Sequence, residues 1–142
     1  MCLGACAPKH SDYSHFETLS DQGWAYGDTV TFTPAKIEHE GLRRLAVAVR
    51  HNNDYEYSNL WLEITLSDSL TVRRDTVNII LADRFGRWKG SGIGPSIQTQ
   101  ATVSPDMNIT GESQVAVRHV MRVDTLRGID QIGITVDNPD NN

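Results

Sequence analysis

The stretch from Asn59 to Leu66 constrains the fold more than any other part of this chain. Leu60, Leu62, Ile64 and Leu66 alternate with Asn59, Trp61, Glu63 and Thr65. Successive side chains of a strand point to opposite faces, so this pattern describes a half-buried antiparallel strand with one aliphatic face. Such a face has to be covered by a second apolar layer. Leu45, Val47 and Val49 alternate in the same way with Ala46, Ala48 and Arg50, and His51 to Asp54 read as the turn that joins the two runs into a hairpin. The segment 41–50 also fits a helix, because Leu42, Leu45, Ala46 and Val49 satisfy a 3.6-residue spacing.

Further runs rich in β-branched residues, at 29–33, 76–82, 97–103, 114–123 and 131–136, predict more strands. Between them, residues 83–95 hold Gly86, Gly90, Gly92 and Gly94, and residues 104–111 hold Pro105, Asn108 and Gly111, all turn signals. The expectation is an all-β protein: an antiparallel β-sandwich of jelly-roll type with about seven or eight strands, a barrel being the alternative. At 142 residues it forms one domain, placed at 23–137, with a disordered tail at 138–142. A net charge of −5, with arginines interspersed among acids, excludes a clustered basic face for nucleic acid.

The N-terminus carries a second kind of signal. Leu3, Gly4, Ala5 and Cys6 resemble a lipobox, in which an apolar and two small residues precede the cysteine that receives a diacylglycerol. On this reading residues 1–5 are the remnant of a signal peptide, and residues 6–22 are the lipidated N-terminus and a polar tether. The expected attachment is to the membrane through lipid on Cys6, and no cysteine follows it. The residues after Cys6 lack an acidic cluster, which points to the periplasmic face of the outer membrane.

Reaction chemistry finds little support. The glycines around Ser91 lack the helix and the Lys-Ser or Lys-Thr pair of a phosphate loop, so they read as a connection between strands. His10, His15, His39, His51 and His119 have no metal-ligand spacing; His119 shares an apolar face with Val115, Val117 and Met121, as a hydrogen-bonded core histidine does. The tail Asp137-Asn138-Pro139-Asp140 lacks the glycine and final glutamate of a calcium loop. There is no Gly-x-Ser-x-Gly elbow, and paired carboxylates for glycoside cleavage meet in space rather than along a chain. The chain therefore reads as a non-enzymatic protein with no metal or cofactor. Aromatic residues are more suggestive: Trp61 lies on the polar face of its strand, and Trp24, Trp88, Tyr55 and Tyr57 lie at strand ends or loops. Exposed together they would stack on sugars, whereas the structural expectation is that Trp61 is covered by the segment around Trp24.

Three segments together carry a family resemblance. Arg50 to Leu60 holds paired asparagines, Asn52 and Asn53, then Tyr55, Tyr57 and a Ser-Asn-Leu entry into a strand. Asp83 to Gly92 has the form Asp-x-x-Gly-x-Trp-x-Gly-x-Gly, with Gly86, Trp88 and Gly90 in place. Met121-Arg122 is followed by Leu126-Arg127-Gly128-Ile129 and Ile132-Gly133-Ile134. In order and spacing these resemble the gliding-motility lipoproteins of Bacteroidota, the GldH type. The resemblance implies a lipid-anchored accessory protein of the cell envelope with protein partners and no catalytic residues. Tyr55, Tyr57, Trp61 and Trp88 are the candidate partner or glycan surface; Asn52, Asn53, Gly86 and Gly90 are its turn residues.

Overall fold

The computed structural model describes residues 12–37 and 41–138. In chain order these form β1 (Tyr13–Thr18), β2 (Trp24–Ala25), β3 (Val30–Phe32), β4 (Leu42–His51), β5 (Asn59–Ser67), β6 (Val72–Ile80), β7 (Ser91–Ile93), β8 (Ser96–Asn108), β9 (Gln114–His119), β10 (Thr125–Leu126) and β11 (Ile129–Asp137). One sheet has the order β1-β11-β4-β8-β7, a second the order β3-β9-β5-β6, and β2 pairs with β10 at the side. All pairings are antiparallel. Apart from the β5–β6 hairpin, the chain changes sheets from β3 to β4, β4 to β5, β6 to β8, β8 to β9 and β9 to β11, which is jelly-roll winding around a two-sheet core.

The alternation read in β5 does what it predicts. Leu60, Leu62, Ile64 and Leu66 point inward and meet Val115, Val117 and Ile79, while Leu45, Val47 and Val49 of β4 and Ile132, Ile134 and Val136 of β11 close the core from the other sheet. The segment 41–50 is a strand, because its inner face fills the space between the sheets at a period of two. β4 and β5 do not form a hairpin. β4 pairs with β8 and β11, and β5 pairs with β6 and β9, so the chain crosses the core between them. Both runs have an apolar face to bury, and facing each other across the core covers both faces at once.

Three further differences have local causes. Residues 13–18, expected within the tether, pair with β11 at the sheet edge, held by the Asp12 amide on the Val136 carbonyl at 2.8 Å and by the Asp12 carboxylate accepting from Arg43 Nε at 2.7 Å. β8 runs through Pro105 into a segment expected to turn; β7 pairs only with Ser96 to Gln98, so the missing Pro105 N–H breaks no ladder, and the β4 register shifts opposite it. Strands β2, β7 and β10 are two or three residues long and show no period to read.

Two buried histidines, His51 and His119, sit in this frame. His119 Nε2 lies 3.0 Å from the Trp24 carbonyl and His51 Nδ1 lies 3.2 Å from that of Asn52. A carbonyl only accepts, so these nitrogens carry the hydrogens. The other nitrogen of each ring is buried without a partner. Burial lowers both pKa values below 6.5; the Asn52 carbonyl and Asp130 partly oppose this for His51, as the Trp24 carbonyl does for His119, where Arg118 adds to the lowering. As pH falls, the unfolded chain therefore takes up protons first. Stability is full above about pH 6.5 and is lost as pH drops from there toward the lowered folded values. Urea midpoints are expected to fall between pH 7.5 and 5, and a His119→Gln variant is expected to show a shallower fall.

Candidate functional site

The three sequence segments singled out above are far apart along the chain, yet they meet at one corner of the sandwich. After β4 the chain turns at Asn52, whose side-chain oxygen accepts from the Asp54 amide at 2.8 Å while its Nδ2 donates to Asp130 at 2.9 Å. The Asn52 backbone amide donates to the Gly128 carbonyl at 3.0 Å. This ties the first segment to the third. Asn53 Oδ1 accepts from the Trp88 indole at 2.7 Å, which ties the first to the second. The Trp88 ring meets His51 edge-on at 4.5 Å, His51 lies 5.9 Å from Tyr55, and Tyr55 lies 5.6 Å from Tyr57.

Tyr55 is the anchor of this corner. It is 3% exposed and its hydroxyl donates to the Asn59 carbonyl at 2.6 Å. Burial, with Tyr57 close by, pushes its pKa up, so the phenol stays protonated and acts as a donor. Gly128 has φ +94°, and a Cβ there would come 2.5 Å from the Tyr55 amide nitrogen. Only glycine lets the two chain segments approach this closely. Trp88 is positioned by the turn before it. Asp83 accepts the Phe85 amide at 2.8 Å and the Arg87 amide at 3.0 Å, and Gly86 adopts φ +80°. Gly90 lies against β8, where a Cβ would overlap the Gln98 carbonyl.

A groove of about 630 Å³ opens beside this corner, bordered by Asp21, Asp54, Glu56, Asp130, Asn52 and Arg127. Four carboxylates and one guanidinium give it an acidic rim. Among the described residues these acids do not gather into a group of three that could hold a metal ion. Asp54 and Glu56 are exposed, so they are available to a partner.

The structure thus brings together Asn52, Asn53, Tyr55, Tyr57 and Trp88, with Gly86 and Gly90 shaping the approach of Trp88. It does not assemble the tryptophans into a sugar platform. Trp24 is 3% exposed, inside the core against His119 at 5.2 Å, with its indole donating to the Asp28 carbonyl. Trp61 is not covered by the segment around Trp24: it is 42% exposed on the outer face of the four-stranded sheet, opposite Asn78. Tyr55, expected on a surface, is internal. Cys6 lies outside the described residues. Sequence reasoning missed the roles of Gly128 and Asp130, whose signal was the Gly-Ile pair in the third segment.

The class this defines is an antiparallel β-sandwich whose aromatic, amide-tied corner borders an acidic groove. The chain belongs to the GldH lipoprotein family, whose pattern it matches over residues 11–136. It is 26% identical over 152 aligned residues to a gliding motility lipoprotein GldH homolog of Christiangramia forsetii, covering 99% of this chain and 92% of that one. It is 24% identical over 125 residues to the gliding motility lipoprotein GldH of Flavobacterium johnsoniae, covering 82% and 79%. Among solved structures, the Eiger TNF of S. frugiperda superposes with a TM-score of 0.37 at 12% identity over 69% of this chain and 60% of that one. The corresponding figures for Cocksfoot mottle virus are 0.30, 13%, 91% and 85%.

Proposed function

We propose that this protein is a non-enzymatic accessory subunit of an envelope complex of the gliding-motility type, held to the membrane by lipid on Cys6 and facing the periplasm. Membership of a lipoprotein family supports the anchor. The observation that carries the subunit reading is the convergence of the three segments on one corner, beside exposed carboxylates. A hydrogen-bonded corner with a buried anchor presents a fixed surface, and a fixed surface loses little entropy when a partner docks.

Affinity isolation of the full-length lipoprotein in mild detergent tests the reading. Defined envelope subunits are expected to co-purify and to be lost from an Asp54→Lys, Glu56→Lys variant that still folds; equal recovery would count against the corner. Metabolic labelling with an alkyne fatty acid tests the anchor separately, with label expected on the wild type and absent from Cys6→Ser. A second reading, a glycan-binding face, rests on Trp61 and Tyr57, which are 42% and 36% exposed. Saturable quenching of tryptophan fluorescence by an oligosaccharide, lost in Trp61→Ala, would favour it.

A further inference from the structure

The outer face of the five-stranded sheet carries an arginine, Arg50, that is held by hydrogen bonds and ring packing yet has no acidic partner among the described residues. Along one row, Thr18, Gln131, Arg50, Gln98 and Ser91 are neighbours on adjacent strands. Arg50 Nε donates to Gln98 Oε1 at 2.9 Å and Nη1 donates to Gln131 Oε1 at 2.6 Å. Gln131 is itself oriented by donating to Thr18 Oγ1 at 3.0 Å. Beneath the guanidinium lies the Phe16 ring, 3.8 Å from Cζ. That ring fits because its cross-strand neighbour is Gly133, where a Cβ would come 2.6 Å from it.

Ring and amides fix the plane of the guanidinium without neutralising it. Arg43 and Arg118, the other well-shielded arginines with hydrogen-bonded heads, are paired with Asp12 and Glu63. Arg50 has only neutral acceptors, and among the described residues no carboxylate lies within ion-pair distance of it. Among the described residues its Nη2 has no hydrogen-bond partner, and the side chain lines a groove of about 570 Å³ together with Ser91, Ser96, Gln98, Gln100 and Gln131. A planar cation held with one edge free matches a carboxylate, with which it can form paired hydrogen bonds.

We propose that this face binds an extended peptide segment of mixed charge, with an acidic side chain of that segment on Arg50. The glutamine amides offer donors and acceptors that match a peptide backbone. Among the described residues no aromatic ring lines the groove, and Phe16 is already capped by Arg50, so these residues offer a sugar no stacking face. Ser96 and Gln131 also border the acidic groove of the corner, where Asp21, Asp54, Glu56 and Asp130 repel a second carboxylate and attract a basic residue. That polarity excludes a polymer of repeated acids and sets the direction of the segment. The source of such a segment, a partner in the envelope, rests on the function proposed above; the binding chemistry does not.

The test is a nuclear magnetic resonance titration of the full chain with a blocked pentapeptide that has glutamate first, lysine last and glycines between. Saturable shifts are expected at Arg50 Nε–H and at the side-chain amides of Gln98 and Gln131. Arg50→Gln is expected to weaken binding about tenfold or more, and Arg50→Lys to fall between, since lysine keeps the charge and loses the fork. The Gln100 side chain makes no hydrogen bond among the described residues, so Gln100→Glu adds a negative charge without removing a side-chain contact of that kind, and it too is expected to weaken binding. Equal shifts with the glutamine-for-glutamate peptide or with a neutral oligosaccharide would overturn the proposal, as would unchanged affinity in Gln100→Glu should Arg50→Gln fail to fold. Because the isolated chain is titrated, a failed titration leaves the corner reading standing, and loss of envelope partners in cells leaves the groove standing.

Discussion

Replacing Gly128 with alanine is expected to lower the unfolding free energy by about 2–6 kcal/mol, enough to remove much of the stability of an ordinary domain. Two effects act at once. A residue with a Cβ is strained at φ +94°, by roughly 1–3 kcal/mol. The new Cβ would also lie 2.5 Å from the Tyr55 amide nitrogen and 2.6 Å from its Cα, and relieving that overlap costs about 1–3 kcal/mol more. Gly86→Ala separates the terms, because Gly86 has φ +80° with nothing within 4 Å of a built Cβ. Urea denaturation of the two variants should give clearly the larger loss for Gly128. Similar losses would mean that the close approach to Tyr55 contributes nothing.

Trp24→Ala is the second large effect, expected to cost about 3–5 kcal/mol, as for other buried aromatics. The ring is 3% exposed, packs edge-on against His119 at 5.2 Å, and belongs to the short strand paired with β10. Removing it leaves a cavity and opens the buried His119 imidazole to water, so the acid sensitivity attributed to that histidine should weaken in the same variant. A loss below about 1 kcal/mol would place Trp24 outside the core, contrary to the packing seen here.

What was legible in the sequence was the period of the long inner strands; the sheet each belongs to was not. Leu60, Leu62, Ile64 and Leu66 announce a half-buried strand because one face meets water and the other does not. Nothing in that period says whether β4 lies beside β5 or across from it, and adjacency along the chain suggested the wrong answer. β1 was illegible for a different reason. As an edge strand it is half-exposed on both faces, so Tyr13, Phe16 and their polar neighbours show no clean alternation. Pro105 reads as a stop, and only the absence of a neighbouring strand on one side lets β8 continue through it.

The candidate site was legible residue by residue but not as an assembly. Asn52, Asn53, Tyr55, Gly86, Gly90 and Trp88 stand out as motif residues, yet the bonds that join them reach from Asn52 to Gly128 and Asp130 and from Asn53 to Trp88. Such contacts follow from the crossing of β4 to β5 and the return of β11, which a one-dimensional pattern does not record. Trp61 shows the converse. Its place in a strong pattern gave its face correctly, and its exposure of 42% shows that the segment around Trp24 does not cover that face.

The claim that the corner is the partner-binding face is tested most directly by photo-crosslinking in living cells that express the full-length lipoprotein. A crosslinking amino acid would be placed at Asp54 or Glu56 on the groove rim, or at Arg74, an exposed residue on the edge strand of the four-stranded sheet. Both rim positions are expected to capture the same envelope protein, and Arg74 is expected to capture none. Equal capture from Arg74, or different products from the two rim positions, would contradict it.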